Sequence, residues 1–198
     1  MKRLPIGILG SGKGSNCRAI LERIRSGRLT AEARVVISDV IDAPILDIAR
    51  EFSVPNAYLP PGQFRTRLEP EVENELVKML RDAGVYLLIL AGFMRVLHAP
   101  MLNAFPRRII NIHPSLLPKF PGLEAWKQAL AAGETVTGCT VHFVDEQVDH
   151  GQIIAQLEVA SLPHDTPETL HARIQIAEHE LYPAAIAELC EKYAAPDL

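Results

Sequence analysis

The 198-residue chain predicts an α/β fold in a single domain, with a mostly parallel sheet covered by helices on both faces and an antiparallel C-terminal hairpin added to the same sheet. Three observations carry this expectation. Short apolar runs alternate with amphipathic stretches through the first half of the chain. Residues 85–91 are apolar on both faces, as a covered parallel strand must be. Further on, two strand-like runs flank the polar turn 145–151, which is a hairpin signal.

The elements follow in order. Residues 4–9 read as a buried strand and 15–25 as a helix whose Ala19, Ile20, Leu21 and Ile24 form an apolar stripe. A strand at 33–38 and a helix at 43–52 come next. A short strand at 56–59 precedes a helix at 69–83 that turns Val72, Leu76, Val77 and Leu80 inward. Strands at 85–91 and 108–112 complete the parallel part. Beyond them a helix at 123–132 ends at Gly133, and strands at 140–144 and 152–159 make the hairpin. A last helix is expected from about 167 to 193, bent at Pro183. No repeat, low-complexity tract or linker breaks the pattern, so one domain over residues 1–198 is expected.

Composition narrows the function. With 48% hydrophobic and 22% charged residues, the chain can bury a sizeable core without disulfides or metals. A net charge of −4 with scattered Lys and Arg argues against a nucleic-acid partner, while leaving room for a local pocket that takes one phosphate. Cys17, Cys139 and Cys190 are odd in number, far apart and without a CxxC, so neither a disulfide framework nor a zinc site is expected. The apolar patch at 4–9 is too short for a signal peptide, and the longest apolar run, 85–91, cannot span a bilayer. A cytoplasmic protein with no membrane partner is expected.

In open parallel sheets ligands bind beyond the carboxyl ends of the strands, and two loops fall there. The first is GSGKGSN at 10–16. Ser15 stands where a dinucleotide-binding GxGxxG needs its third glycine. A P-loop counted from Gly7 to Lys13 meets Gly14 where the magnesium-binding hydroxyl belongs. What remains is an anion site at a helix start, with Gly14 backbone, Ser15 as N-cap and Asn16 adding side-chain donors. A single phosphomonoester is the favoured ligand, and a tight turn without any ligand is the plain alternative.

The second loop is NIHPSLLP at 111–118. If Ile112 points into the core, Asn111 and His113 share the other side, because strand side chains alternate. An amide N–H and an imidazole N–H placed together can donate to one developing oxyanion, which suits acyl transfer. Pro114 and Pro118 stiffen the chain that follows. The competing reading is a lone histidine in a loop. An acid of this kind works best beside a carboxylate, and Asp145, Glu146 and Asp149 all lie in the late turn; spacing does not choose among them. His142 reads as a strand residue near the site. His171 and His179, eight apart on one helix, have no third metal ligand placed by spacing and read as solvated. Cys139 reads as a small strand filler, and the Trp126 helix as a surface element packing through its apolar side.

Five segments occur in order along nearly the whole chain: SGKGSN (11–16), AGFMR (91–95), NIHPSLLPKFPG (111–122), TGCTVHFVDEQVDHG (137–151) and ARIQIAEHELYP (172–183). Together they resemble the glycinamide ribonucleotide transformylase family, the folate-dependent formyltransferases of purine biosynthesis. The resemblance implies a Rossmann-like formyltransferase fold and transfer of a formyl group from 10-formyltetrahydrofolate to the amine of glycinamide ribonucleotide. Asn111 would then hold the oxyanion, His113 would donate the proton, and Asp149 would hold and charge His113. Gly14, Ser15 and Asn16 would take the phosphate, with Gln175 and Glu178 near the glycinamide. The folate would meet Met94, Arg95, Val96, Leu97, Asn111 and the 144–149 backbone, with Arg67 matching a folate-contacting arginine. By this reading the N-terminal half binds the ribonucleotide phosphate and the C-terminal half carries the folate and catalytic site. The substrates are small molecules, no metal takes part, and the protein is a monomer or homodimer.

Three residues depart from that family's pattern: His150 stands for glycine, Lys13 for a small or polar residue, and Asp39 for Asn. Formyltetrahydrofolate deformylase has the same trio, but it normally carries an N-terminal regulatory domain, and this chain begins directly at its first strand. Its histidine also tends to be followed by Ser-Phe, where Pro114-Ser115-Leu116 stands here. Methionyl-tRNA formyltransferase needs a C-terminal RNA-binding domain for which no residues are expected to remain. A non-catalytic phosphate- or folate-binding module has no use for an acid beside an oxyanion donor.

Overall fold

A computed structural model describes residues 3–194. The chain runs β1 (Leu4–Leu9), α1 (Ser15–Arg25), β2 (Ala31–Ser38), α2 (Pro44–Glu51), β3 (Asn56–Tyr58), α3 (Pro70–Asp82), β4 (Leu87–Leu90), α4 (Ala99–Ala104), β5 (Ile109–His113), α5 (Ala125–Ala131), β6 (Val136–Phe143), β7 (Ile153–Ala160) and α6 (Pro167–Ala194). The strands form one sheet in the order β3-β2-β1-β4-β5-β6-β7. Pairings from β3 to β5 are parallel, whereas β5/β6 and β6/β7 are antiparallel. The hairpin thus extends the parallel sheet, as the apolar patterning predicts.

Each face of the sheet buries its own core. Ile6, Ile8, Leu87, Ile89, Ile110 and Val141 pack toward α1, α2 and α6. Ile37, Leu88, Leu90 and Ile109 pack toward α3 and α4, against Leu76, Leu80 and Met101. Side chains of this size, fully buried, contribute roughly 1.5–3 kcal/mol each, so the central strands anchor everything built at their ends. Tyr182 of α6 is buried, with its hydroxyl 3.0 Å from the carbonyl oxygens of both Leu90 and Ile110. It ties α6 to the end of β4 and to β5 at the residue before Asn111. No helix among the described residues is long and apolar enough to cross a membrane.

Departures from the sequence reading have local causes. Helices α2 and α3 start one residue late because Pro44 and Pro70 occupy the first helical position, where a missing N–H costs nothing. Helix α5 begins at Ala125 because Glu124 takes a left-handed conformation (φ 55°). Strand β6 reaches back to Val136, since its ladder to β7 continues through Thr137 and Gly138, a stretch that reads as a break. Helix α4 escaped notice: six residues with only Met101 and Ala104 buried display no period.

Candidate active site

Asn111 and His113 both lie on β5, with the side chain of Ile112 buried on the opposite face. Antiparallel pairing sets His142 of β6 opposite Asn111 and Thr140 opposite His113. Directly paired residues share a face, so all four point the same way. The β6/β7 register shifts between Val141 and His142, and such a bulge re-aims a side chain.

His113 is 5% exposed. Its Nε2 lies 2.9 Å from the carbonyl oxygen of Phe120, and its Nδ1 lies 3.4 Å from Asp149 Oδ2. Both ring nitrogens thus face oxygen atoms, one on the backbone and one on a carboxylate.

The fold also chooses among the three turn carboxylates. Asp145 caps its own turn, accepting the Gln147 N–H at 2.9 Å, and Glu146 is exposed. Asp149, at φ 58°, turns inward, and its Oδ2 accepts the Gly122 N–H at 2.8 Å. The turn closes tightly behind it: a Cβ on Gly151 would lie 1.7 Å from the carbonyl oxygen of Phe143.

His142 has a task that spacing did not reveal. Its Nδ1–H donates to the Phe143 carbonyl at 2.8 Å, which leaves Nε2 as an acceptor 3.3 Å from Asn111 Nδ2. Burial pushes the His142 pKa down, outweighing the Phe143 carbonyl and Asp149, which act the other way. Asp149 Oδ1 is 3.6 Å away, too far to hydrogen-bond this ring. The neutral imidazole therefore accepts from Asn111 and orients its amide.

The glycine loop differs from expectation at Ser15. Gly14, not Ser15, takes the capping position, with φ 74°, and no side chain caps the helix. Ser15 is the first helical residue. A Cβ on Gly14 would lie 2.9 Å from Ile45, so the close approach of α2 requires glycine. Asn16 is 9% exposed. One of its two Nδ2 hydrogens goes to Glu178 Oε2 of α6 at 2.8 Å, while its Oδ1 has no partner among the described residues. Burial raises the Glu178 pKa to about 7, partly opposed by the Asn16 hydrogen bond. Gln175 lies one turn earlier on α6 and is partly buried.

The folate residues expected from the sequence lie on two adjoining stretches. In the segment after β4, Leu97 is buried while Met94 and Val96 are exposed. Arg67 bridges to Val96, whose N–H donates to the Thr66 carbonyl at 2.9 Å. The Arg67 guanidinium lies over the Phe64 ring, 4.0 Å from its centroid. Arg95 does not offer a free guanidinium: its Nε donates to Asp39 Oδ2 at 2.7 Å and its Nη1 to the Phe64 carbonyl. A cavity of about 310 Å³ opens between Leu102, Phe105, Arg107, Phe143, Val144 and Gln152, beside the 144–149 turn.

The start of α1 is built from both ends of the sequence, since Asn16 meets Glu178 of α6.

Comparison with known proteins places the chain. Residues 4–186 match the model of the formyl transferase family. The chain belongs to the formyl transferase family. It is 40% identical to phosphoribosylglycinamide formyltransferase of Bacillus subtilis, covering 92% of both chains. It is 47% identical to the trifunctional purine biosynthetic protein adenosine-3 of Drosophila pseudoobscura pseudoobscura, over 94% of this chain but only 14% of that protein's length. Its structure matches that of glycinamide ribonucleotide transformylase 1 from Symbiobacterium toebii with a TM-score of 0.92, at 48% identity, covering 96% of this chain and 89% of that one.

Several supporting residues give no signal of their own in the sequence. Ser115 Oγ donates to the Lys119 carbonyl at 2.6 Å, and Thr140 Oγ1 donates to the Ser115 carbonyl at 2.7 Å. Thr140 Oγ1 also accepts the Leu117 N–H, and Gln156 Nε2 reaches the Leu117 carbonyl. This network clamps the loop that carries the Phe120 carbonyl onto β6. The strand register was the available signal, because it sets Thr140 opposite His113. His171 is not solvated but stacks on Trp126, with ring centroids 3.8 Å apart. His150 and Lys13 are exposed, and Cys139 is buried in β6.

Proposed function

We infer that the chain is a phosphoribosylglycinamide formyltransferase, moving the formyl group of 10-formyltetrahydrofolate to the amine of glycinamide ribonucleotide in purine biosynthesis. The observation that carries this reading is the convergence of Asn111, His113 and Asp149 at the β5 end in a chain of the formyl transferase family.

The chemistry follows from the geometry. The substrate amine attacks the formyl carbon, and the carbonyl electrons move onto oxygen. Asn111 Nδ2–H and the protonated His113 ring meet that charge as it develops. The intermediate then collapses: the bond from carbon to the folate nitrogen breaks, the leaving nitrogen takes a proton from His113, and the proton that the attacking amine sheds returns to the imidazole. Asp149 keeps the imidazolium paired and in place. Gly14, Ser15, Asn16, Gln175 and Glu178 hold the ribonucleotide in this reading. Arg67, Met94–Leu97 and Asn111 hold the folate.

Glu178 supports the assignment, since a buried carboxylate with a pKa raised to about 7 beside an unpartnered amide oxygen leaves polar capacity for a ligand. The deciding experiment follows the loss of 10-formyltetrahydrofolate with and without glycinamide ribonucleotide. Consumption is expected to require the amine acceptor. Equal turnover without it assigns the chain to hydrolysis instead.

A further inference from the structure

Asp39 follows β2 with its side chain 2% exposed, and two donors converge on it. Ser11 Oγ–H reaches Oδ1 at 2.5 Å, and Arg95 Nε–H reaches Oδ2 at 2.7 Å. Neither donor ends there. The Ser11 hydroxyl oxygen accepts the Met94 N–H at 2.9 Å, and the Ser11 N–H donates to the Gly92 carbonyl at 3.0 Å. Arg95 also holds the Phe64 carbonyl, in the stretch that leads to Arg67 and its bridge with Val96.

One buried carboxylate therefore joins the glycine loop after β1, the Met94–Leu97 segment after β4 and the chain at 64–67. The sheet order explains why they can meet: β1 lies between β2 and β4, and successive strands leave β1 in opposite directions. The loops leaving these three strands sit side by side at the switch point, where such sheets bind ligands. Removing the carboxylate would leave the largely buried Arg95 cation without its counter-charge, a costly state that a loop relieves by moving. The Ser11–Asp39–Arg95 chain is thus a mechanical link between two ligand-binding stretches and not an isolated surface ion pair.

We propose that Asp39 is a positioning residue that makes the glycine loop and the Met94–Leu97 segment one unit, so that filling the ribonucleotide site preorganises the folate site. The proposal rests on the reading of those two stretches under Proposed function. When the first ligand orders the shared unit, the second loses less conformational entropy on binding. The coupling is reciprocal by thermodynamic necessity.

The test is calorimetric titration of tetrahydrofolate into the protein with and without saturating glycinamide ribonucleotide, and the reverse. The wild type should bind tetrahydrofolate about fivefold or more tightly when the ribonucleotide is present, with the same factor in the reverse titration. Asp39→Asn and Ser11→Ala should each bind both ligands with that factor reduced to near one. Asp47→Asn, which touches only an exposed pair with Arg50 on α2, should keep the wild-type factor. Ser11→Ala removes a single hydroxyl and carries the test if Asp39→Asn does not fold. A factor of one in the wild type overturns the proposal. So does an unchanged factor in Ser11→Ala or Asp39→Asn, even with a lowered melting temperature, because that is the mark of a merely structural pair. Failure of the wild type to bind either ligand is a different result: it removes the formyltransferase reading and the proposal with it.

Discussion

The Asn111–His113 cluster on β5 and the start of α1 are finished to different degrees. Around Asn111, His113, His142 and Asp149 the polar atoms have partners: a carbonyl for each histidine, the Gly122 N–H for Asp149, and His142 for Asn111. At the start of α1 the Asn16 Oδ1 is buried without a partner, no side chain caps the helix, and Glu178 is buried against it. The difference agrees with the role proposed for each region. An acid and an oxyanion donor have to be in place before charge develops, and backbone carbonyls can fix them in advance. A binding site for a polar ligand keeps hydrogen-bonding capacity open, at a cost in stability until the ligand completes it.

The comparison breaks or sharpens under three measurements. The largest effect belongs to the finished region. His113→Ala and Asn111→Ala should each lower turnover by roughly 10²–10⁴-fold and leave tetrahydrofolate affinity within a few-fold, because these groups act mainly on the transition state. The double variant should fall well short of the product of the single effects, since the two serve one oxygen. Loss of affinity in place of turnover would contradict the roles assigned.

The second measurement concerns the unfinished region. Burial raises the Glu178 pKa to about 7 from an ordinary 4.5. Between those values the folded protein binds more protons than the unfolded chain, so this group's contribution to stability declines as pH rises from about 4.5 to about 7. The decline is on the order of 3 kcal/mol. Glu178→Gln should remove it, becoming the more stable form at pH 8 relative to wild type when urea midpoints are compared across pH. If the difference between the two proteins does not change with pH, the carboxylate is not held near neutrality.

The smallest effect is expected at His142. Replacing it with Phe keeps the bulk but deletes the acceptor for Asn111 Nδ2. A hydrogen bond of about 1 kcal/mol corresponds to a five- to tenfold loss of turnover, with the Michaelis constant for folate unchanged. No loss would show that Asn111 is oriented by its strand alone, and that the region is less finished than its hydrogen bonds indicate.

What could be read in advance was whatever depends on near neighbours. Alternation along a strand puts Asn111 and His113 on one side of Ile112, and apolar runs separated by amphipathic stretches foretell the parallel sheet, because both periods are properties of a few consecutive residues. The starts of α2 and α3 were readable to within a residue, with Pro44 and Pro70 setting them. The short helix α4 was not, since one and a half turns carry too little pattern.

The chain by itself therefore determined the α/β class, the hairpin and the Asn–His pair at a strand end. Tertiary structure alone decided the rest. Asp149 outranks Asp145 and Glu146 because its left-handed backbone and the tight closure at Gly151 bring that one carboxylate back over β5. His142 acquires its role from the register of β6 against β5. Asn16 gives its amide to Glu178, 162 residues away, because α1 and α6 pack on the same face of the sheet. Asp39 gathers loops that are adjacent only because the sheet order runs β2-β1-β4. Local spacing fixes which way a side chain points, but which partner it meets depends on how distant segments are brought together, and that is set by the packing of the whole core.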